Sequence, residues 1–164
     1  MDTRKFIRLT MLLSLAVVLN IIESLIPIFN FLIPGVKLGL SNVIILSVLY
    51  VYGFKDALYL SILKVFLVGI LKTGLFSIPF FFSLIGGLLS IIMMYVVKKM
   101  SLFSAIGVSI VGAIFHCIGQ TLVAIIIINI KMIYYLPILL LLSIPTGIVV
   151  GIVSKELIKY INEI

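Results

Sequence analysis

At 164 residues the chain reads as a single domain, residues 1–164. Hydrophobic residues make up 64% and charged residues 10%, with a mean hydropathy of +1.47. No soluble core needs so much apolar side chain, so the chain is read as an integral membrane protein, all α, counted in spans of about 20 residues. The net charge of +7 comes from cations placed singly and at span ends, with no basic stripe interleaved with aromatics; that argues against nucleic acid and fits topology signals and anionic lipid headgroups.

Six apolar segments follow in order, at 7–28, 39–54, 56–72, 75–97, 102–129 and 133–154. The first opens behind Arg4, Lys5 and Arg8, as a signal peptide would. Its apolar run continues to Pro27 with no small-residue cleavage site before Glu23, so it is read as a retained span. Between the first two segments lies Pro34-Gly35-Val36-Lys37-Leu38-Gly39-Leu40-Ser41-Asn42, with a cation and an amide where the chain leaves and re-enters the bilayer. Irregular backbone at that depth survives only where protein buries it or where it lines a wet cavity, so the stretch is either a plain turn or the lid of a site. The second and third segments are short for a full span, as segments beside binding cavities often are. Tyr52-Gly53-Phe54-Lys55-Asp56 joins them as a tight turn.

With the N-terminus inside, the cytoplasmic side collects Arg4, Lys5, Arg8, Lys55, Lys98, Lys99, Lys155 and Lys159, against Lys37, Lys72 and Lys131 outside. That bias predicts cytoplasmic termini. Tyr50, Tyr52 and Tyr95 then fall at the inner interface, and Tyr134 and Tyr135 at the outer one.

Ionisable groups inside spans are expensive, and each asks for a reason. Glu23 lies in the outer part of the first segment, with Asn20 three residues earlier on nearly the same face. Lys64 lies too deep in the third for its stem to reach water easily. His116 and Gln120, four apart, share a face of the fifth with Gly112. In the topology above, Glu23, Lys37, Asn42, Lys64, His116 and Gln120 all fall at or outside the midplane. They are the candidate substrate-binding residues: Lys37 and Asn42 to gate and contact the ligand, Lys64, His116 and Gln120 to hold it, and Glu23 to orient Lys64. A surplus of cationic groups over one acid favours an anionic or carbonyl-rich ligand. The competing reading is structural, a Glu23–Lys64 ion pair and a His116–Gln120 hydrogen bond between helices.

Small residues repeat every four along the last segment, at Ser143, Gly147 and Gly151, where they would pack against a neighbouring helix or a partner subunit. Cys117 reads as an inert buried thiol, without disulfide or thiolate metal site. Of the five acids, Asp2, Asp56, Glu156 and Glu163 sit unclustered at cytoplasmic ends, so no aspartate cluster is available to hold Mg²⁺ on a diphosphate. No phosphate-binding loop or catalytic constellation is present, so no catalytic residue, metal or cofactor is expected, and any ATP-driven step must come from other chains.

Ile22-Glu23-Ser24-Leu25-Ile26-Pro27, the Pro34–Asn42 stretch, Tyr52-Gly53-Phe54-Lys55-Asp56-Ala57 and the run Gly112 to Gln120 resemble the Gx transporter family, also labelled heptaprenyl diphosphate synthase component I. The likeness covers nearly the whole chain. It departs at Lys64, where the family pattern leads one to expect Arg, which can clamp an anion bidentately as Lys cannot. The resemblance implies a six-helix bundle in the bacterial cytoplasmic membrane, similar to the substrate-binding subunits of energy-coupling-factor vitamin transporters. Such a chain would work with a membrane coupling subunit and ATPases on separate chains. An accessory, non-catalytic subunit of prenyl-quinone synthesis or flavin-linked electron transfer is the alternative, and a solitary proton-coupled carrier resting on Glu23 and His116 is a third.

Overall fold

The second apolar segment is the shortest α-helix and the most enclosed. In the computed structural model, which describes residues 3–25 and 39–163, it forms α2, Leu40–Val51, with Ser41 and every residue from Val43 to Leu49 buried. Twelve residues rise about 18 Å, well short of the roughly 30 Å hydrocarbon thickness. This helix is an inner rod around which longer helices pack: α1 (Thr3–Leu25), α4 (Ile78–Lys99), α5 (Ala105–Ile127) and α6 (Leu136–Glu163). Those four are long and apolar enough to cross a membrane. The sixth helix, α3 (Phe54–Val68), runs on into a π-helical turn at Gly69–Thr73. Among the described residues there is no strand, and the chain is a multi-pass membrane protein.

The helix ends differ from the apolar bounds for a simple reason. Hydropathy marks where oil stops, but Lys, Glu and Ile remain good helix formers beyond it. Thus α1 begins at Thr3 rather than 7, and α6 continues through Lys155, Glu156 and Lys159 to Glu163 rather than stopping near 154. Starts are set by side-chain caps: Ser77 accepts from the Phe80 N–H, with Pro79 in the first turn of α4, and Ser104 accepts from the Gly107 N–H. The expected tight turn after α2 is present, with Gly53 at φ +96°, a region that an L side chain adopts only under strain.

The core is built on α2. Ile44, Ile45, Leu46, Val48 and Leu49 pack with Ala16 of α1, Ala57 and Leu60 of α3, Ile91, Met94 and Val97 of α4, and Val108 of α5. Outward faces stay apolar, with Met11, Leu15 and Val18 on α1 and Ile148 and Ile152 on α6 turned to the surroundings, as lipid contact requires. Close packing of α5 on its neighbours depends on glycine. A Cβ on Gly119 would lie 2.8 Å from the Gly86 Cα, and those on Gly147 and Gly151 would lie 2.8 and 2.7 Å from the Cα atoms of Ile110 and Ile106. The small residues of α6 are therefore used inside the chain, against α5.

At the end where α1 and α3 start, Lys5 pairs with Asp56 at 2.7 Å. Nearby, Lys98 donates to the Leu49 carbonyl at 2.8 Å and lies 4.6 Å from the centre of the Tyr50 ring. That contact places a cation at the C-terminus of α2, where the helix dipole favours one.

Candidate functional site

The opposite end of α2 is held by a carboxylate. Glu23, in the last turn of α1, accepts from the Gly39 N–H at 2.5 Å and from the Leu40 N–H at 3.2 Å. These are N–H groups that a helix start leaves without an intrahelical partner, and the dipole there favours negative charge. Gly39 takes φ +78°, which turns its N–H toward α1 and gives way at once to the helix. The next two side chains of α2 reach α3: the Lys64 ammonium donates to Ser41 Oγ at 3.2 Å and to Asn42 Oδ1 at 3.3 Å. Ser41 also accepts from the Asn20 amide at 3.3 Å. One turn of α2 thus gathers an acid, a cation and two amides from three helices, with both ionisable groups only 6% exposed.

This turn forms one wall of a cavity to which all six helices contribute. From α5 come Ser109, Gly112, Ala113, His116, Cys117 and Gln120, spaced three and four apart along one face. His116 can pack tightly because the opposing residue on α4 is Gly86, where a Cβ would sit 2.9 Å from the His116 carbonyl and 3.1 Å from its ring. Ser83 and Ser90 line it from α4, and Ser143 and Thr146 from α6. Pro145 lies between those last two inside the helix, and the Thr146 hydroxyl turns back to the Ser143 carbonyl at 3.0 Å. Such back-bonding takes up backbone acceptors near a proline break.

The cavity volume is about 70 Å³. Its lining runs from Ser109 to Gln120 along α5, about 16 Å at the helical rise. A small volume spread over that length makes a slot rather than a chamber.

Of the residues singled out from the sequence, Glu23, Asn42, Lys64, His116 and Gln120 all line this slot. Lys37 lies outside the described residues, as does most of the Pro34–Asn42 stretch; Gly39 to Asn42 form the described part. Glu23 and Lys64 are both bonded to the first turn of α2, Glu23 through the Gly39 and Leu40 N–H groups and Lys64 through the Ser41 and Asn42 side chains. Lys72, expected at an outer end, donates from its ammonium to the Ser24 hydroxyl. Cys117 borders the slot together with His116 rather than being wholly enclosed.

The hydroxyls escaped the sequence reading. Ser83 and Ser90 stand seven apart on α4, and Ser109 stands seven before His116, so each pair shares a helix face. That spacing was the available signal. Ser143 was read as packing, yet it borders the slot while Gly147 and Gly151 do the packing.

Compared with known proteins, residues 12–157 match the model of a family described as heptaprenyl diphosphate synthase component I. No curated protein and no solved structure matches.

Proposed function

The chain belongs to the heptaprenyl diphosphate synthase component I family, and from that premise we propose that it is the substrate-binding subunit of an energy-coupled importer. It would take a small anionic or carbonyl-rich molecule, vitamin-, flavin- or quinone-precursor-like, into the slot and pass it inward when a coupling subunit and ATPases on separate chains drive the step. What supports this is the polar slot, fed by every helix and set at one end of an otherwise apolar bundle. Intramembrane ionisable groups that face a cavity inside a bundle mark substrate and ion pathways. The reading carries a topology of six segments threading up and down, with both termini in the cytoplasm of a bacterial cell and the slot toward the outer face. The tally of Lys and Arg and the Lys5, Asp56 and Lys98 contacts at the far end of the bundle agree with that.

The chain itself is read as non-catalytic, because its acids are dispersed and a diphosphate would need them clustered around Mg²⁺. The family's description favours one alternative, a non-catalytic membrane subunit linked to prenyl diphosphate or quinone synthesis or to flavin-linked electron transfer.

Gentle extraction followed by native mass spectrometry tests both readings. A retained small molecule, or a retained ATPase module, supports the importer; a retained soluble synthase with no small molecule supports the alternative. Reconstitution with a coupling module then has to give ATP-dependent uptake of the retained molecule. Binding of that molecule unchanged by both Lys64→Ala and His116→Ala would refute the site.

A further inference from the structure

We infer that the slot selects a neutral ligand rich in carbonyl and N–H or hydroxyl groups, and rejects the anion of the same size. This rests on the binding-subunit reading and narrows its ligand. The first ground is charge. The described lining holds one carboxylate, Glu23, and one ammonium, Lys64, with His116 counted neutral, so its formal charge is zero. Both charges are engaged with the first turn of α2: Glu23 takes two of its N–H groups, and Lys64 takes the Ser41 and Asn42 side chains. An entering anion would lose its water beside a buried carboxylate and find no surplus cation on the described lining.

The second ground is the set of neutral groups still open to a ligand. Ser109 Oγ is buried, 3% exposed by residue, and has no hydrogen-bond partner among the described residues. Ser90, 4% exposed, borders the same part of the slot: a Cβ on Gly112, one turn along α5 from Ser109, would lie 3.2 Å from its hydroxyl. Further along, the Gln120 side chain lines the slot and offers both donor and acceptor. A buried hydroxyl without a partner is rare in a finished protein and is satisfied when a ligand supplies the missing atom. A neutral ring with carbonyl and N–H edges meets such groups along a narrow slot.

The test uses matched pairs of probes that differ in charge and little in size: nicotinamide against nicotinate, and uracil-6-carboxamide against uracil-6-carboxylate. Each is titrated calorimetrically into the full chain in lipid nanodiscs. The expected result is that the neutral member binds more tightly in both pairs by about tenfold or more, since like-charge juxtaposition in a dry site is costly. Gln120→Ala and Ser109→Ala each weaken the neutral members, while Glu23→Gln, which unmasks Lys64, moves the preference toward the anions. Anions that bind the unaltered chain as well as or better than their neutral partners overturn the inference, as does a neutral preference that survives both Gln120→Ala and Ser109→Ala. Failure to bind any of the four also overturns it. The importer reading stands or falls separately, on ATP-dependent uptake in the reconstituted system, so anion preference together with such uptake would remove this inference alone.

Discussion

Removing the Glu23 carboxylate tests the idea that α2 is held in place electrostatically rather than by packing alone. In Glu23→Ala the Gly39 and Leu40 N–H groups lose their acceptor, and the buried Lys64 loses the one carboxylate of the described lining. A hydrogen bond to a charged partner contributes about 1.5–3 kcal/mol, and stranding a buried charge costs about 3–5 kcal/mol. These terms overlap, since one carboxylate serves both, so the expected loss is about 3–5 kcal/mol. Glu23→Gln keeps one carbonyl oxygen for the N–H groups but removes the charge, and should lose about half as much. Reversible SDS titration followed by circular dichroism measures both. Values within about 0.5 kcal/mol of the unaltered chain for Glu23→Ala, or equal losses for the two variants, would refute the electrostatic account.

At the other end of α2, Lys98→Met removes the donor to the Leu49 carbonyl and the cation over Tyr50, and should lower stability by about 1–2 kcal/mol in the same titration. Lys5→Ala breaks an ion pair whose lysine is more than a third exposed, so a change below about 1 kcal/mol is expected. Gly119→Ala drives a Cβ to 2.8 Å from the Gly86 Cα, between two backbones that cannot yield separately, and should cost about 1–3 kcal/mol. Ser109→Ala removes a buried hydroxyl that has no described partner, so the ligand-free chain should be unchanged or up to about 1 kcal/mol more stable. Substantial destabilisation by this last change would mean that the hydroxyl serves the fold.

Much of the fold was legible because lipid and water impose one coarse rule on every segment: each apolar run holds an α-helix among the described residues, and four of these helices are long and apolar enough to cross a membrane. That rule says nothing about which run is surrounded by lipid and which by protein, since both demand apolar residues. Hence 39–54 read as a short segment, and its apolar residues alone do not say that its 12-residue helix is enclosed by the others. Its buried Ser41 and Ser47 were the one hint, because hydroxyls facing lipid would gain nothing there.

The site divides along similar lines. Glu23, Lys64, His116 and Gln120 stood out because a charge or a large amide in hydrocarbon is too costly to lack a purpose, and that cost is written in the residue type alone. A serine is cheap by comparison, since its hydroxyl can turn back to the carbonyl one turn earlier, as Ser47 does to Val43 at 2.8 Å. The seven-residue spacings of Ser83 to Ser90 and of Ser109 to His116 hint at a shared face, but it takes the fold to show that Ser90 and Ser109 border the slot. The same limit applies to charge. The sequence counts several cations near one depth and one acid, yet the slot as described balances a single Lys64 against Glu23, each fixed by the same turn of α2. A surplus of cations in a segment list becomes a preference for anions only where those cations share a cavity and lack a counter-charge. Here the described geometry supplies the counter-charge: Glu23 and Lys64 border one slot and are bonded to one turn of α2.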